Sequence, residues 1–322
     1  MSGTAVFLGI DTSNYTTSVA VYDRETGAMR QQKQLLPVKA GELGLRQSDA
    51  VFHHPRQLPA MLEGVLNKMD GRIAAIGVSE KPCETEGSYM PCFLAGLGTA
   101  RSLAAAMKAP LFQFTHQQGH VAAAAVGADR LDLLEREFLA FHVSGGTTDA
   151  LLVRPEGGTV IRCSLAASSL DLKAGQLIDR VGKLLGLPFP AGPALETLAL
   201  RAPAAKKLPR AVLRGADCSL SGVENQCRKK REEGVPAEEI ARFCLDSVLA
   251  ALCGMTEALQ KEYPGLPLLY AGGVMANSLL RKELTGRYGG AFAPPAFSAD
   301  NAAGIALLCS LQEGDREEGS RQ

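Results

Sequence analysis

The sequence predicts an α/β protein built as two similar lobes, and three observations carry that prediction. A single plan of strand, small-residue turn, strand, strand, then helices and further strands begins at Ala5 and begins again at Phe138. The 322 residues suffice for two cores, and 34 glycines with no tryptophan suit a chain with many tight strand-to-helix turns. The turns Asp11-Thr12-Ser13 and Ser144-Gly145-Gly146-Thr147 hold equivalent places in the two halves. Both are expected to point into a cleft between the lobes and to receive phosphates on backbone N–H groups.

Taken in order, Ala5–Ile10 is a short apolar run of β-forming residues and Thr17–Tyr22 an alternating one, so the small polar turn between them joins a hairpin. A third strand is expected at Gln31–Leu36, and residues 37–56, with Gly41, Gly44 and His53-His54-Pro55, read as irregular. Leu58, Met61, Leu62, Val65 and Leu66 share one face of a helix predicted over Gln57–Met69. Ile73–Val78 and Pro110–Phe114 are strands flanking a Gly- and Ala-rich helix, Phe93–Met107, and the second strand runs into His116–His120. The charged stretch Asp129–Glu137 is the expected boundary, which gives lobes over 1–130 and 131–299 and a returning C-terminal helix over 300–322. In the second half, strands are predicted at Phe138–Val143, Asp149–Arg154, Val160–Leu165 and Leu268–Ala271. Helices are predicted near Lys173–Leu185, Pro193–Leu200, Gly222–Glu233, Pro236–Tyr263, Ser278–Thr285 and Asp300–Gln312.

Composition narrows the function. Lys+Arg and Asp+Glu are both 34, so no global field draws the chain to nucleic acid or membrane; an RNA partner needs a local patch or an auxiliary subunit. Arg228-Lys229-Lys230-Arg231 and Lys206-Lys207 with Arg210 and Arg214 are the small basic clusters. The eight cysteines form no Cys-x-x-Cys and read as buried thiols of a reducing compartment. The N-terminus shows no basic-then-apolar signal, and no apolar run is read as reaching membrane-spanning length; a cytoplasmic protein with no membrane partner is expected.

His116 and His120, two of only five histidines, stand four apart, where a helix carries both on one face. Two such imidazoles can grip one divalent ion if a third ligand arrives from elsewhere; otherwise one is a surface group and the other a buried, hydrogen-bonded one. Ser144-Gly145-Gly146-Thr147 is either a phosphate-receiving tip or a plain turn. In Ala271-Gly272-Gly273-Val274-Met275-Ala276-Asn277 a strand enters Gly-Gly and a helix starts, so Asn277 either caps that helix or binds a ligand. Asp179 reads as a solvated partner of Lys183, Glu196 sits in the first turn after the rigid Pro190-Ala191-Gly192-Pro193, and Asp300 reads as an N-cap.

The motifs together resemble a known family. Gly9-Ile10-Asp11-Thr12-Ser13, His116-Gln117-Gln118-Gly119-His120, Val143-Ser144-Gly145-Gly146 and Ala174-Gly175-Gln176-Leu177-Ile178-Asp179 occur in that order. Lys183-Leu184-Leu185-Gly186-Leu187, Pro190-Ala191-Gly192-Pro193, Leu220-Ser221-Gly222, the Ala271–Asn277 run and Asp300-Asn301-Ala302-Ala303 follow. This set resembles the tRNA threonylcarbamoyladenosine transferases (TsaD-like, once described as O-sialoglycoprotein endopeptidases) over essentially the whole chain. The resemblance implies the duplicated actin/Hsp70/sugar-kinase-like (ASKHA) fold. It implies His116, His120 and Asp300 as ligands of one divalent metal, iron or zinc. It also implies an adenylate site, for threonylcarbamoyl adenylate or ATP/AMP, lined by Val143, Ser144, Gly145, Gly146, Asp179, Gly192, Glu196, Gly272, Gly273 and Asn277. Implied partners are tRNA, a homologous partner subunit and an ATPase.

The chain departs from the family pattern at three places. Asp11-Thr12-Ser13-Asn14-Tyr15-Thr16-Thr17 keeps one acid where members carry Glu-Thr-Ser-Cys-Asp-Glu-Thr, and Ser144-Gly145-Gly146-Thr147-Thr148 lacks the usual histidine. Glu80–Cys92 replaces a shorter Gly-Pro-Gly-rich turn. These changes point to a divergent paralogue using a related acyl adenylate or another acceptor. Among competing readings, a metalloprotease is disfavoured by Gln117, where the zincin His-Glu-x-x-His motif needs its general-base Glu. A sugar-kinase-like phosphotransferase has no need of a His-His-Asp set, and a non-catalytic scaffold is expected to have lost it.

Overall fold

The computed structural model describes residues 4–37, 45–67, 71–156, 160–204, 206–298 and 302–319. Its chain forms two compact units. One comprises Met1–Arg136, Arg154–Cys163 and Ala296–Gln322, the other Glu137–Val153 and Ser164–Pro295.

In the first unit β1 (Ala5–Thr12), β2 (Thr16–Asp23) and β3 (Met29–Leu35) form an antiparallel meander. β4 (Arg72–Lys81) adds to β1 in parallel and β5 (Leu111–Thr115) to β4, giving the order β3-β2-β1-β4-β5. Side chains alternate across this sheet. Val6, Leu8 and Ile10 of β1 pack with α1 (Gln47–Leu66) and α2 (Phe93–Met107) in one apolar core. Phe7, Gly9 and Asp11 therefore belong to the opposite face, where α3 (His116–Gly127) begins directly at the end of β5.

The helix α1 starts ten residues before the expected Gln57 and runs through Pro55 and Pro59. Each proline forgoes one helical hydrogen bond. Ala50, His54, Leu58, Met61, Leu62 and Val65 nevertheless form one continuous buried stripe, and burying a large apolar side chain returns about 1.5–3 kcal/mol.

The second unit repeats the plan. β6 (Phe138–Val143), β7 (Thr148–Glu156) and β8 (Val160–Ser168) are followed by β11 (Leu268–Ala271) parallel to β6 and β12 (Ala291–Phe292) parallel to β11. The order β12-β11-β6-β7-β8 mirrors that of the first sheet. Phe141, Tyr270 and Phe292 stack across three neighbouring strands, with ring centroids 5.1 and 4.7 Å apart. Between β8 and β11 come α4 (Ala174–Leu184), α5 (Gly192–Ala199), a short hairpin of β9 (Val212–Arg214) and β10 (Asp217–Ser219), α6 (Ser221–Glu232) and α7 (Ala237–Glu262). The hairpin is absent from the sequence prediction because each strand has only three residues, too few to show a period. The helix α7, at 26 residues, is long and apolar enough to cross a membrane, contrary to the reading that no run reaches that length; 72% of its apolar stretch is buried inside the protein, as in a core helix.

After α8 (Ser278–Tyr288) and the single turn α9 (Pro295–Ser298), the chain rejoins the first unit as α10 (Ala303–Gly319). This helix continues past the expected end at Gln312, and its expected start at Asp300 lies outside the described residues. It lies close against β1 because Gly9 has no side chain: a Cβ there would meet the Ala302 carbonyl oxygen at 2.6 Å. The first unit also takes in Arg154–Cys163, unlike a cut at residue 130. There the Cys163 amide donates to Glu84 Oε1 at 3.0 Å and the Ile161 carbonyl accepts from Gln118 Nε2 at 2.6 Å.

Candidate functional site

The histidine pair opens α3 and is set by local chemistry. Thr115 is the N-cap: its hydroxyl accepts from the Gln118 amide at 3.1 Å, and the Gln118 side chain accepts from the Thr115 amide at 2.7 Å. With the first turn closed in this way, Nε2 of His116 and Nε2 of His120 lie 2.9 Å apart. His116 Nδ1 lies 2.8 Å from Oδ1 of Asp11, which also accepts from the Ser79 hydroxyl. Phe93, itself buried, sits with its ring 5.8 Å from that of His116. Thr12 next to Asp11 donates to the Cys92 carbonyl at 3.0 Å and accepts from the Gly96 amide at 3.1 Å, tying the end of β1 to the start of α2.

Three observations test whether these residues fit a divalent metal. The two Nε2 atoms are close enough to share one ion at the roughly 2.0–2.1 Å bonds that imidazole makes to zinc. Asp11 is fully buried, and its Oδ2 has no hydrogen-bond partner. Among the described residues no group of three His, Cys, Asp or Glu side chains is arranged to hold an ion. The pair therefore fits as two ligands of a larger set. Asp300, the expected third, lies outside the described residues.

The second unit holds a separate pocket of about 380 Å³. Gly145, Asp179, Gly192, Glu196, Gly273 and Asn277 line it, together with the apolar Ile178, Pro190, Pro193 and Val274. A Cβ on Gly145, Gly192 or Gly273 would meet nothing within 4 Å, so a ligand can approach the bare backbone at all three. The polar groups are held by one atom each. Asp179 Oδ1 accepts from the Ala191 amide at 2.8 Å, which replaces the expected pairing with Lys183. Glu196 Oε1 accepts from the Ser278 amide at 2.8 Å. Asn277 Oδ1 caps α8, accepting from the Leu279 and Leu280 amides at 3.1 Å each, and its cap role leaves the side-chain amide nitrogen for the pocket.

Val143, Ser144, Gly146 and Gly272 do not line this pocket; they shape it. The Ser144 hydroxyl closes its own turn by accepting from the Gly146 and Thr147 amides at 3.3 and 3.2 Å. Its carbonyl accepts from the Gly175 amide at 3.1 Å. Gly272 has a φ of +101°, and a Cβ there would collide with the Val143 carbonyl.

Asp11 belongs to β1 and not to the expected turn, His54 lies in α1 and not in an irregular segment, and Ser79 is not among the residues the sequence marks. The available signal for Asp11 and Ser79 was strand parity: they fall on the faces of β1 and β4 that also carry Gly9 and Gly77, against which α10 packs. His54, buried in α1, lies 2.7 Å through Nδ1 from the Thr17 hydroxyl, and burial pushes its pKa down from 6.5 to about 4. Two of the four cations of the α6 cluster pair with acids: Arg228 with Glu224 at 3.1 Å, an acid that Arg180 of α4 also reaches at 3.0 Å, and Lys229 with Glu233 at 3.7 Å.

The family model described as TsaD, tRNA N6-adenosine threonylcarbamoyltransferase, matches residues 39–307. The chain belongs to the TsaD family. A tRNA N6-adenosine threonylcarbamoyltransferase of Carboxydothermus hydrogenoformans is 32% identical over 292 residues, covering 86% of this chain and 82% of that protein. One of Halalkalibacterium halodurans is 30% identical over 332 residues, covering 97% and 92%. Full-length HypF in its phosphate- and nucleotide-bound form has the same fold, with a TM-score of 0.62 at 12% identity over 98% of this chain and 56% of HypF. The TsaD-family chain thus has the expected ASKHA fold, and the sequence relatives given above are named as transferases.

Proposed function

We propose that this TsaD-family chain transfers a threonylcarbamoyl group from its adenylate to N6 of an adenosine in tRNA. The observation that supports the reading most is family membership across the chain, together with a histidine pair and a glycine-lined pocket at the family's motif positions. In the reaction the adenosine amine attacks the carbamoyl carbon, the bond from that carbon to the phosphate oxygen breaks, AMP leaves and the amine gives up a proton.

The pocket of the second unit takes the adenylate. Its bare backbone at Gly145, Gly192 and Gly273 allows close approach of the nucleotide, its apolar wall accommodates a base, and Asp179, Glu196 and Asn277 orient polar groups. His116 and His120 hold a divalent ion, iron or zinc, and the chemistry such an ion supplies when bound is Lewis-acid polarisation of a substrate oxygen. A homologous partner subunit and an ATPase complete the assembly, in the cytoplasm.

A second reading keeps the fold and the adenylate but changes the acceptor or acyl group. It is favoured by Tyr15, 46% exposed in the β1–β2 turn where members carry an acid, and by Thr147 in place of the usual histidine. Incubation with tRNA, threonine, bicarbonate, ATP and the partner enzymes, followed by nucleoside mass spectrometry, decides between them. Threonylcarbamoyladenosine is expected. Its absence, with partners shown to be active and adenylate still consumed, selects the second reading.

A further inference from the structure

Asp11 is a fully buried carboxylate with an asymmetric environment. Oδ1 accepts from His116 Nδ1 at 2.8 Å and from the Ser79 hydroxyl, whereas Oδ2 has no hydrogen-bond partner. A buried charge is costly unless an opposite charge compensates it. Among the described residues the only basic side chain in ion-pair range of Asp11 is His116 itself. The carboxylate thus stands one imidazole away from the place where the two Nε2 atoms converge.

We propose that Asp11 is the positioning residue of the histidine pair, fixing the tautomer of His116 so that its Nε2 lone pair faces a shared divalent cation; the inference rests on the metal reading above. A neutral imidazole carries one proton, and a carboxylate can only accept. The contact with Asp11 therefore puts that proton on Nδ1 and the lone pair on Nε2. Ser79 spends its hydroxyl proton on the same oxygen and so holds the carboxylate against the ring, while Phe93 flanks the ring itself. The negative charge raises the basicity of His116 as a ligand, and a cation bound beyond the ring supplies the compensation that Asp11 otherwise lacks.

The test uses the full chain, freed of metal, and zinc alone as the probe. Zinc is titrated against a chromophoric chelator for the unaltered protein, Asp11→Asn, Asp11→Leu and His116→Ala. Loss of such an outer partner lowers metal affinity about 10–100-fold. Asp11→Asn, which keeps an acceptor oxygen, is expected at the low end of that range, Asp11→Leu at the high end, and His116→Ala to lose the site. In parallel, ¹⁵N spectra of the metal-free protein report which ring nitrogen of His116 carries the proton. Nδ1 is expected, with a shift toward Nε2 in Asp11→Leu. If His116→Ala abolishes binding but both Asp11 variants bind like the unaltered protein, the positioning role is overturned and the metal reading stands. If the unaltered protein binds no zinc, the metal reading falls and the inference with it. Should Asp11→Leu fail to fold, a proton found on Nε2 of His116 in the unaltered protein overturns the inference by itself.

Discussion

Glu196 Oε1 accepts a hydrogen bond from the Ser278 amide at 2.8 Å, binding α5 to the first turn of α8 at the rim of the second unit's pocket. The Ser278 hydroxyl donates to the same oxygen. One carboxylate oxygen is therefore committed to the protein and the other is left to the pocket. Hydrogen bonds to charged groups contribute about 1.5–3 kcal/mol, which corresponds to roughly 10–100-fold in affinity. Glu196→Ala is expected to weaken AMP binding by about that factor, and Glu196→Gln, which keeps an acceptor for Ser278, by less. Titration calorimetry with AMP checks both; equal affinity in all three proteins removes Glu196 from the nucleotide site.

The glycines of the pocket divide into two groups with opposite expected behaviour. A Cβ on Gly175 would meet the Gly145 nitrogen and the Ser144 carbonyl oxygen at 2.6 Å, so Gly175→Ala must displace the 144–147 turn. Overpacking of this kind costs about 1–3 kcal/mol. A Cβ on Gly145 would meet nothing within 4 Å, so Gly145→Ala should melt within about 0.5 kcal/mol of the unaltered protein. It should still lose AMP affinity, because its methyl group enters the pocket. Melting curves paired with AMP titrations separate the two; an unimpaired Gly145→Ala rules out close approach of the nucleotide there.

The buried His54 makes stability depend on acidity. Burial holds its pKa down to about 4, against 6.5 for the group in water. Between those values the unfolded chain binds more protons than the folded one, so the contribution is complete above pH 6.5 and is lost as the pH falls toward 4. Denaturant midpoints should therefore drop across that window. In His54→Gln, which does not titrate, the drop should be shallower, and parallel curves for the two proteins would show that other groups control the acid limb.

Much of this was legible in the sequence, for reasons that differ by element. Phe138–Val143, Phe93–Met107 and Leu268–Ala271 are bounded by turns and predominantly apolar, and each forms over the range its pattern marks. Asn277 was legible as a helix cap because capping is local. The partners of Asp179 and Asp11 were not. The Ala191 amide is twelve positions away from Asp179, and His116 is 105 away from Asp11, so neither contact leaves a periodic trace. Pro55 misplaced the start of α1, since proline signals a helix break unless packing overrides it, as the buried Ala50 and His54 do.

The two glutamines between the histidines offer a final contrast. Gln118 is buried: its oxygen accepts from the Thr115 amide at 2.7 Å and its nitrogen donates to the Ile161 carbonyl at 2.6 Å. Removing it strands the buried Thr115 amide, and an unsatisfied buried group costs about 1–3 kcal/mol. Gln117 is half-buried, and it is its backbone amide, donating to the Pro82 carbonyl at 3.0 Å, that holds it in place. That bond survives any side-chain replacement other than proline. Gln118→Ala should therefore unfold about 1–3 kcal/mol more easily and bind zinc more weakly, because the first turn of α3 loses its capping box and with it the register of His116 against His120. Gln117→Ala should stay within about 0.5 kcal/mol and keep its zinc affinity. Urea unfolding and chelator competition on the two variants decide the matter: if Gln117→Ala is the damaging change, then position 117 itself, and not the cap, orders the pair.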